Sequence, residues 1–363
     1  MNKTAKTVIG IIIVIILVWI VFFYYQKPVN NETIKIGALL TLSGDAAAWG
    51  ENAQNGVDLA VDEFRQDNPD KQIEILYEDT GGETKKAVSS YQKLVNIDKV
   101  DAIIGPVLQT EVAAISPLVD KDGVPIITPS YAPISNRSNP RNPLMIWMNP
   151  TIEAEQMADY VYEQGIRKIG ILGTLDSWEN EVSDAFASKF TSLGGEILDK
   201  EIVQPDTGDV KLSVSKILDK NPEAIFLGTY YQFVQAIRPV KELGFNGKLY
   251  SIEVDSYLAS ETKQFSNGLQ FISPESYAED FITKFEEIYD KKPGIPAGQA
   301  YDATKILLSF LEKSLDKLDV LKAMENFERY EGASGEIVLT ADHKTLLPTA
   351  IFELQDGEAI KIK

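Results

Sequence analysis

The chain carries one histidine, His343, and no cysteine. Without a thiol there is no cysteine nucleophile, no disulfide, no thiolate metal ligand and no lipid-bearing cysteine. A single imidazole, placed in the polar stretch TADHK where a solvent-exposed turn is expected, supports neither a histidine-based triad nor a multi-histidine metal site. The Gly-x-Ser-x-Gly elbow and the GxxxxGK[ST] phosphate loop are both missing. Acidic side chains number 54, so paired carboxylates are not excluded by counting, but nothing in the sequence groups them. The chemistry left open is non-covalent capture at loops. In Ser43–Gly50, Gly44 permits a tight turn and Trp49 starts a helix. Gly105–Thr110 leads into a helix whose free N–H groups suit an anion; Thr110 adds a hydroxyl there, or caps its own helix. Ser130 supplies a second hydroxyl in the loop beyond Ile127.

These loops need elements to hold them. Apolar runs at Ile34–Leu40, Gln72–Glu78, Asp101–Pro106 and Val124–Ser130 read as strands, and Asn52–Phe64 as a helix with Val57, Ala60, Val61 and Phe64 on one face. Strands alternating with helices predict parallel strands joined by right-handed crossovers, with a ligand crevice at their carboxyl ends. The alternation repeats after Pro150, with strands at Lys168–Leu172, Glu196–Val203, Ala224–Gly228, Lys248–Ile252 and Leu269–Ile272. Helices at Glu153–Gln164, Glu179–Leu193, Val210–Lys220 and Tyr231–Leu243 fall between them. Two long helical patterns follow, Pro274–Asp290 and Gly298–Phe327, then short strands at Glu336–Leu339, Thr349–Leu354 and Glu358–Lys363. One set of βα units before about Met148 and another after it predict two α/β lobes with a cleft between them.

Val8–Tyr25 is an uncharged run of 18 residues behind Lys3 and Lys6, ending in bulky aromatics with no small-x-small site. That favours an uncleaved transmembrane signal anchor over a processed leader, with residues 1–7 as a cytoplasmic stub, 26–33 as a linker and the rest exported. A formal net charge of −19 argues against nucleic acid and against docking on anionic lipid.

Seven runs, in order and covering nearly all of the exported part, resemble type I periplasmic solute-binding proteins of the branched-chain amino acid group. They are IKIGALLTLSGDAAAWGENAQNGVDLAVDE (Ile34–Glu63), ILYEDTGGETKKAVSSYQKLV (Ile75–Val95), VDAIIGP (Val100–Pro106), GVPIITPS (Gly123–Ser130), KIGILGTLDSW (Lys168–Trp178), PEAIFLGTYYQ (Pro222–Gln232) and AYDATKILLSFLE (Ala300–Glu312). The resemblance implies an α/β fold of two Rossmann-like lobes, periplasmic binding protein-like I, joined by a three-segment hinge. Lobe 1 would hold 33–148 and 274–331, lobe 2 149–273 and 332–363. It implies an aromatic at Trp49 closing over the ligand, and a serine and a threonine for an α-carboxylate where this chain has Gln109 and Ala132. Thr110 and Ser130, with Tyr131 beside it, are the nearest substitutes. Trp178 and Tyr230 (or Tyr231) would face the ligand, and Glu253, with Asp255 as alternate, would pair with a ligand ammonium. A pocket rich in aromatics and poor in hydroxyls suits an apolar or amphipathic molecule, and Trp49, Trp178 and Tyr230 could cage a cation. The implied function is a membrane-anchored solute-binding component of an ABC importer that closes its hinge on an amino acid-like ligand and presents it to a permease. No enzyme activity and no cofactor are implied. The alternative is a ligand sensor that reports to a membrane signalling partner.

Overall fold

Both predicted sets of βα units form sheets, and the two sheets share one strand order. The computed structural model describes residues 33–363 apart from Asp45, residues 135–137 and Tyr231. The apolar run at 8–25 lies outside the described residues; among the described residues no helix is long and apolar enough to cross a membrane. The first sheet contains β1 (Ile34–Leu40), β2 (Ile73–Asp79), β3 (Ala102–Ile104), β4 (Ile126–Thr128) and β5 (Leu144–Met145), all parallel in the order β2-β1-β3-β4-β5. The second contains β6 (Lys168–Thr174), β7 (Glu196–Val203), β8 (Ala224–Gly228), β9 (Lys248–Ile252) and β10 (Gln270–Pro274), parallel in the equivalent order β7-β6-β8-β9-β10. Antiparallel β14 (Thr349–Gln355) and β15 (Glu358–Lys361) extend it beyond β10. In each sheet the winding reverses beside the first strand, so the crevice opens at the carboxyl ends of β1 and β3, and of β6 and β8.

Each sheet is covered on both faces, which is why its central strands are continuous apolar runs. The first is sandwiched between α1 (Ala47–Asp67) with α10 (Ala297–Leu311) and α2 (Thr84–Lys93) with α3 (Gln109–Asp122). Gly56 lets α1 and α10 touch, since a Cβ there would stand 2.1 Å from the Ala297 carbonyl oxygen. The second sheet lies between α4 (Pro150–Glu163) with α5 (Ser177–Ser192) and α6 (Lys211–Leu218), α7 (Phe233–Glu242) and α8 (Ser256–Thr262). The helix α9 (Glu279–Tyr289) packs Phe281 and Phe285 against Leu59 of α1.

Two expectations about the C-terminal third change. Gly298–Phe327 is two helices, α10 and α11 (Lys317–Glu325), because Asp316 interrupts the run as an N-cap, accepting from the amides of Leu318 (2.9 Å) and Asp319 (3.2 Å). The chain also does not return to the second sheet at Gly332. A separate three-stranded sheet, β11 (Arg329–Gly332), β12 (Gly335–Leu339) and β13 (Thr345–Leu346), sinks Ile337, Leu339 and Leu347 into the first core. Strand pairing with the second sheet begins only at Thr349. Three segments thus pass between the lobes, and they are stitched together. The Asn149 amide donates to the Thr345 carbonyl (2.9 Å) and the Glu275 amide to that of Pro348 (2.8 Å). The Thr345 hydroxyl donates to Met145 O (2.6 Å).

Candidate ligand-binding site

At the carboxyl end of β1 the chain must turn into α1, and Asp79 holds that turn. Its Oδ1 accepts from the amides of Leu42 (2.8 Å), Ser43 (3.1 Å) and Gly81 (2.8 Å). Slight burial pushes the Asp79 carboxyl up, but the Ser43 hydroxyl and these amides outweigh it and hold the group below the usual carboxylate range. Ser43 is therefore committed to the loop. Gly44, at φ 81°, takes the left-handed corner, where a Cβ would stand 2.9 Å from the Gly81 carbonyl. The turn delivers Trp49 into the first turn of α1, half-buried, with its ring stacked on Trp147 at 6.2 Å between centroids and 24° between planes.

Trp147 stands on the segment leaving β5 and carries the contact to the other lobe: its indole Nε1–H donates to Glu253 Oε1 at 3.1 Å. Glu253 follows β9 with φ 48°, a left-handed backbone unusual for glutamate, held by its amide donating to Ile272 O (2.8 Å). Behind it lies Glu153, fully buried in the first turn of α4, which Asn149 caps by accepting from Thr151 N (3.1 Å). Among the described residues neither Glu153 oxygen meets a hydrogen-bond donor. Burial first, and then the negative Glu253 beside it, push the Glu153 carboxyl well above its usual range; burial also raises Glu253, against the opposing bond from Trp147.

On the second lobe's edge, Asp176 caps α5 by accepting from Trp178 N (2.9 Å), which sets Trp178 half-buried at the rim. Buried Glu179 accepts from the Tyr230 amide (2.7 Å) and the Thr229 hydroxyl (3.2 Å), and Thr229 meets Thr174 at 2.6 Å. Tyr230 in turn donates its phenol to Asp255 Oδ2 (2.8 Å). Asp255 also caps α8 through Leu258 N (2.8 Å), so this alternate acid is engaged within its own lobe. The first lobe repeats the device with buried Glu111, Thr41 and Thr80: Thr41 lies 3.0 Å from Thr80 and donates to Glu111 Oε2 at 3.2 Å.

The remaining expected residues divide. Tyr131 crosses between the lobes, its phenol donating to Glu181 Oε2 on α5 at 2.7 Å. Gln109 and Thr110 open α3, but the N-cap is Leu108, which contributes no side-chain bond, so Thr110 does not cap its helix. Ser130 is buried with its hydroxyl 3.4 Å from the Tyr131 carbonyl, and Ala132 is buried with its amide on Met145 Sδ (3.3 Å). Tyr231 lies outside the described residues. His343 is exposed as expected and accepts from Arg141 Nε at 3.0 Å.

The contacts that join the lobes run through Trp147 and Glu181, and the acid buried behind Glu253 is Glu153; the sequence reading singled out none of the three. A signal was present for Glu153: it sits on the same helical stripe as Met157 and Val161, an acid in an apolar row. Glu111 and Glu179 break the stripes of α3 and α5 in the same way. Among the described residues no cluster of three or more His, Asp or Glu could hold a metal. A groove of about 390 Å³ lined by Leu59, Glu63, Lys284 and Ile288 lies toward the other end of α1 from Trp49 and is no part of this arrangement.

Two doubly wound sheets, with side chains from both meeting at their carboxyl edges, define a bilobal binding protein, and the chain belongs to the periplasmic binding protein family, whose model matches residues 33–359. It is similar to Leu/Ile/Val-binding protein homolog 3 of Brucella melitensis, at 22% identity over 347 residues, 91% of this chain and 94% of that one. Among solved structures it shares its fold with the branched-chain amino acid transporter substrate binding protein LivJ from Streptococcus pneumoniae, in complex with isoleucine. There the TM-score is 0.78 and identity 23%, over 92% of this chain and 100% of that one. It also shares its fold with a solute binding protein of an ABC transporter from Rhodopseudomonas palustris in complex with 3,4-dihydroxy benzoic acid, with TM-score 0.76 and 22% identity over 91% and 96% of the two chains.

Proposed function

We propose that this chain is the extracytoplasmic solute-binding protein of an ABC importer, tethered by the apolar run at 8–25, and that it closes two lobes on an amino acid or similar small amphipathic molecule. The observation that carries the reading is the chain of contacts Trp49–Trp147–Glu253, which starts on the first lobe's β1 loop and ends on the second lobe's β9 loop. A ligand seated against these groups touches both lobes, so it stabilises the closed arrangement over the open one. The closed form is what a permease would read.

Relatives with this fold hold isoleucine in one case and a dihydroxybenzoate in another. The carboxylates of Glu253 and Glu153 favour a ligand with a cationic group over a purely anionic aromatic acid, because an unpaired anion beside them is repelled in a poorly hydrated site. The hydroxyls expected for an α-carboxylate are missing at Gln109 and Ala132; the uncapped first turn of α3 supplies backbone N–H groups instead. On this reading lobe 1 runs over 33–148 and 274–347 and lobe 2 over 149–273 and 348–363, in line with the cores that each stretch joins.

The test is a thermal-shift panel of amino acids, amides, short peptides and aromatic acids, run on the full-length chain in detergent after unfolding and refolding to strip carried-over ligand. A shift with one compound class supports the reading. No shift with any member overturns it.

A further inference from the structure

Glu153 and Glu253, both on the second lobe, lie against each other beneath the bond that Trp147 sends from the first. Glu153 is completely buried, both its oxygens lack a donor among the described residues, and the charged side chain that acts on it is another acid. Two carboxylates in such contact cannot both stay ionised without a cation or a proton between them.

The titratable groups on the surrounding elements are engaged elsewhere. On α4, Asp159 pairs with Lys189 of α5 (3.1 Å) and Glu163 with Lys363 (2.8 Å). From α5, Glu179 serves Thr229 and Tyr230, and Glu181 accepts from Tyr131. From β9 and its loop, Tyr250 meets Tyr160 edge-on and Asp255 is held by Tyr230 and Leu258. Among the described residues no lysine, arginine or histidine acts on either member of the pair. Glu253 keeps some exposure, so a ligand reaches it, with Glu153 underneath.

We infer that Glu153 and Glu253 share one proton while the cleft is empty, and that a ligand's primary ammonium or guanidinium group displaces that proton, which leaves to bulk water. Cation capture in this cleft is therefore a proton exchange. It selects ligands basic enough to stay charged as they enter, and it makes affinity rise with pH. The inference rests on the solute-binding reading above, but its first test needs no ligand.

Infrared spectra of the ligand-free full-length chain at pH 7, wild type minus Glu153→Gln, should show a protonated-carboxyl band that the variant lacks. Calorimetry then uses the first of L-leucine, L-arginine and putrescine to bind, titrated in phosphate and in Tris at pH 6.5 and 7.5. The expected result is release of close to one proton per ligand and an affinity rising about tenfold per pH unit. Glu153→Gln, with an amide that does not titrate, should bind with a flat pH profile. Absence of the band, or binding with no proton release and no pH dependence, overturns the shared proton while leaving solute binding intact. A chain that shows the band but binds nothing in the panel overturns the solute-binding reading instead. Should Glu153→Gln fail to fold, the two-buffer calorimetry on the wild type decides alone.

Discussion

The bond from Trp147 to Glu253 joins the lobes, so its loss is expected to weaken ligand retention more than it weakens folding. Trp147→Phe keeps an aromatic ring against Trp49 and deletes the Nε1–H that donates to Glu253 at 3.1 Å. A hydrogen bond to a charged group contributes about 1.5–3 kcal/mol, and the partial exposure of Glu253 places this one at the low end, about 1.5 kcal/mol or roughly tenfold in Kd. Loss of indole area adds a contribution unrelated to the bond, so the quantity to measure is a coupling. Calorimetric Kd values for the wild type, Trp147→Phe, Glu253→Gln and the double variant form the cycle, with urea midpoints as the control for folding. The double variant should bind about tenfold better than the sum of the two single losses predicts. Additivity within about 0.3 kcal/mol would refute the idea that this bond helps to close the lobes.

Three further predictions concern the frame. Asp302 is buried on α10 and accepts from the amides of Ala333 (2.7 Å) and Ser334 (2.8 Å); burial outweighs those bonds and pushes its pKa up to about 6. Its folded state holds a proton more tightly than the unfolded chain, so the stability it contributes is complete below about pH 4 and is lost as pH climbs through about 6, a change of about 3 kcal/mol at most. Urea midpoints between pH 4 and 7 should fall more steeply in wild type than in Asp302→Asn, and equal slopes would contradict this. Gly56→Ala should destabilise by about 1–3 kcal/mol despite alanine's better helix propensity, because the new methyl meets backbone of α10 at 2.1 Å; a raised urea midpoint would mean that the helices separate freely. Tyr131→Phe removes the 2.7 Å bond to Glu181 across the cleft and should weaken ligand binding about two- to fivefold with an unchanged urea midpoint. A lower midpoint with unchanged Kd would place that bond in folding rather than closure.

Much of the frame was legible because it follows from local rules. β1, β7, β8 and β9 lie at Ile34–Leu40, Glu196–Val203, Ala224–Gly228 and Lys248–Ile252, where their apolar runs predict them. Each is an uninterrupted apolar or alternating stretch with turn residues at its ends. Helical periodicity resumes after Asp316, so the break between α10 and α11 is not legible in the pattern, and only the cap bonds reveal it. The core that the β11–β13 sheet joins is illegible in the sequence for a related reason. Ile337 and Leu339 announce a strand by their spacing, but which core they enter depends on contacts with residues far away in the chain.

The sequence by itself determined the winding and removed one chemistry: repeated βα units call for paired sheets, and a chain without cysteine has no thiol nucleophile. Composition and periodicity are local properties, and they survive without a third dimension. Tertiary structure alone decided which side chains face one another. It committed Ser43 to Asp79 and Asp255 to Tyr230, and it brought Trp147 of one lobe to Glu253 of the other. It also set Glu153 beneath Glu253 across 100 positions of chain, a meeting of two like charges that no spacing rule records because it depends on how α4 packs against β9.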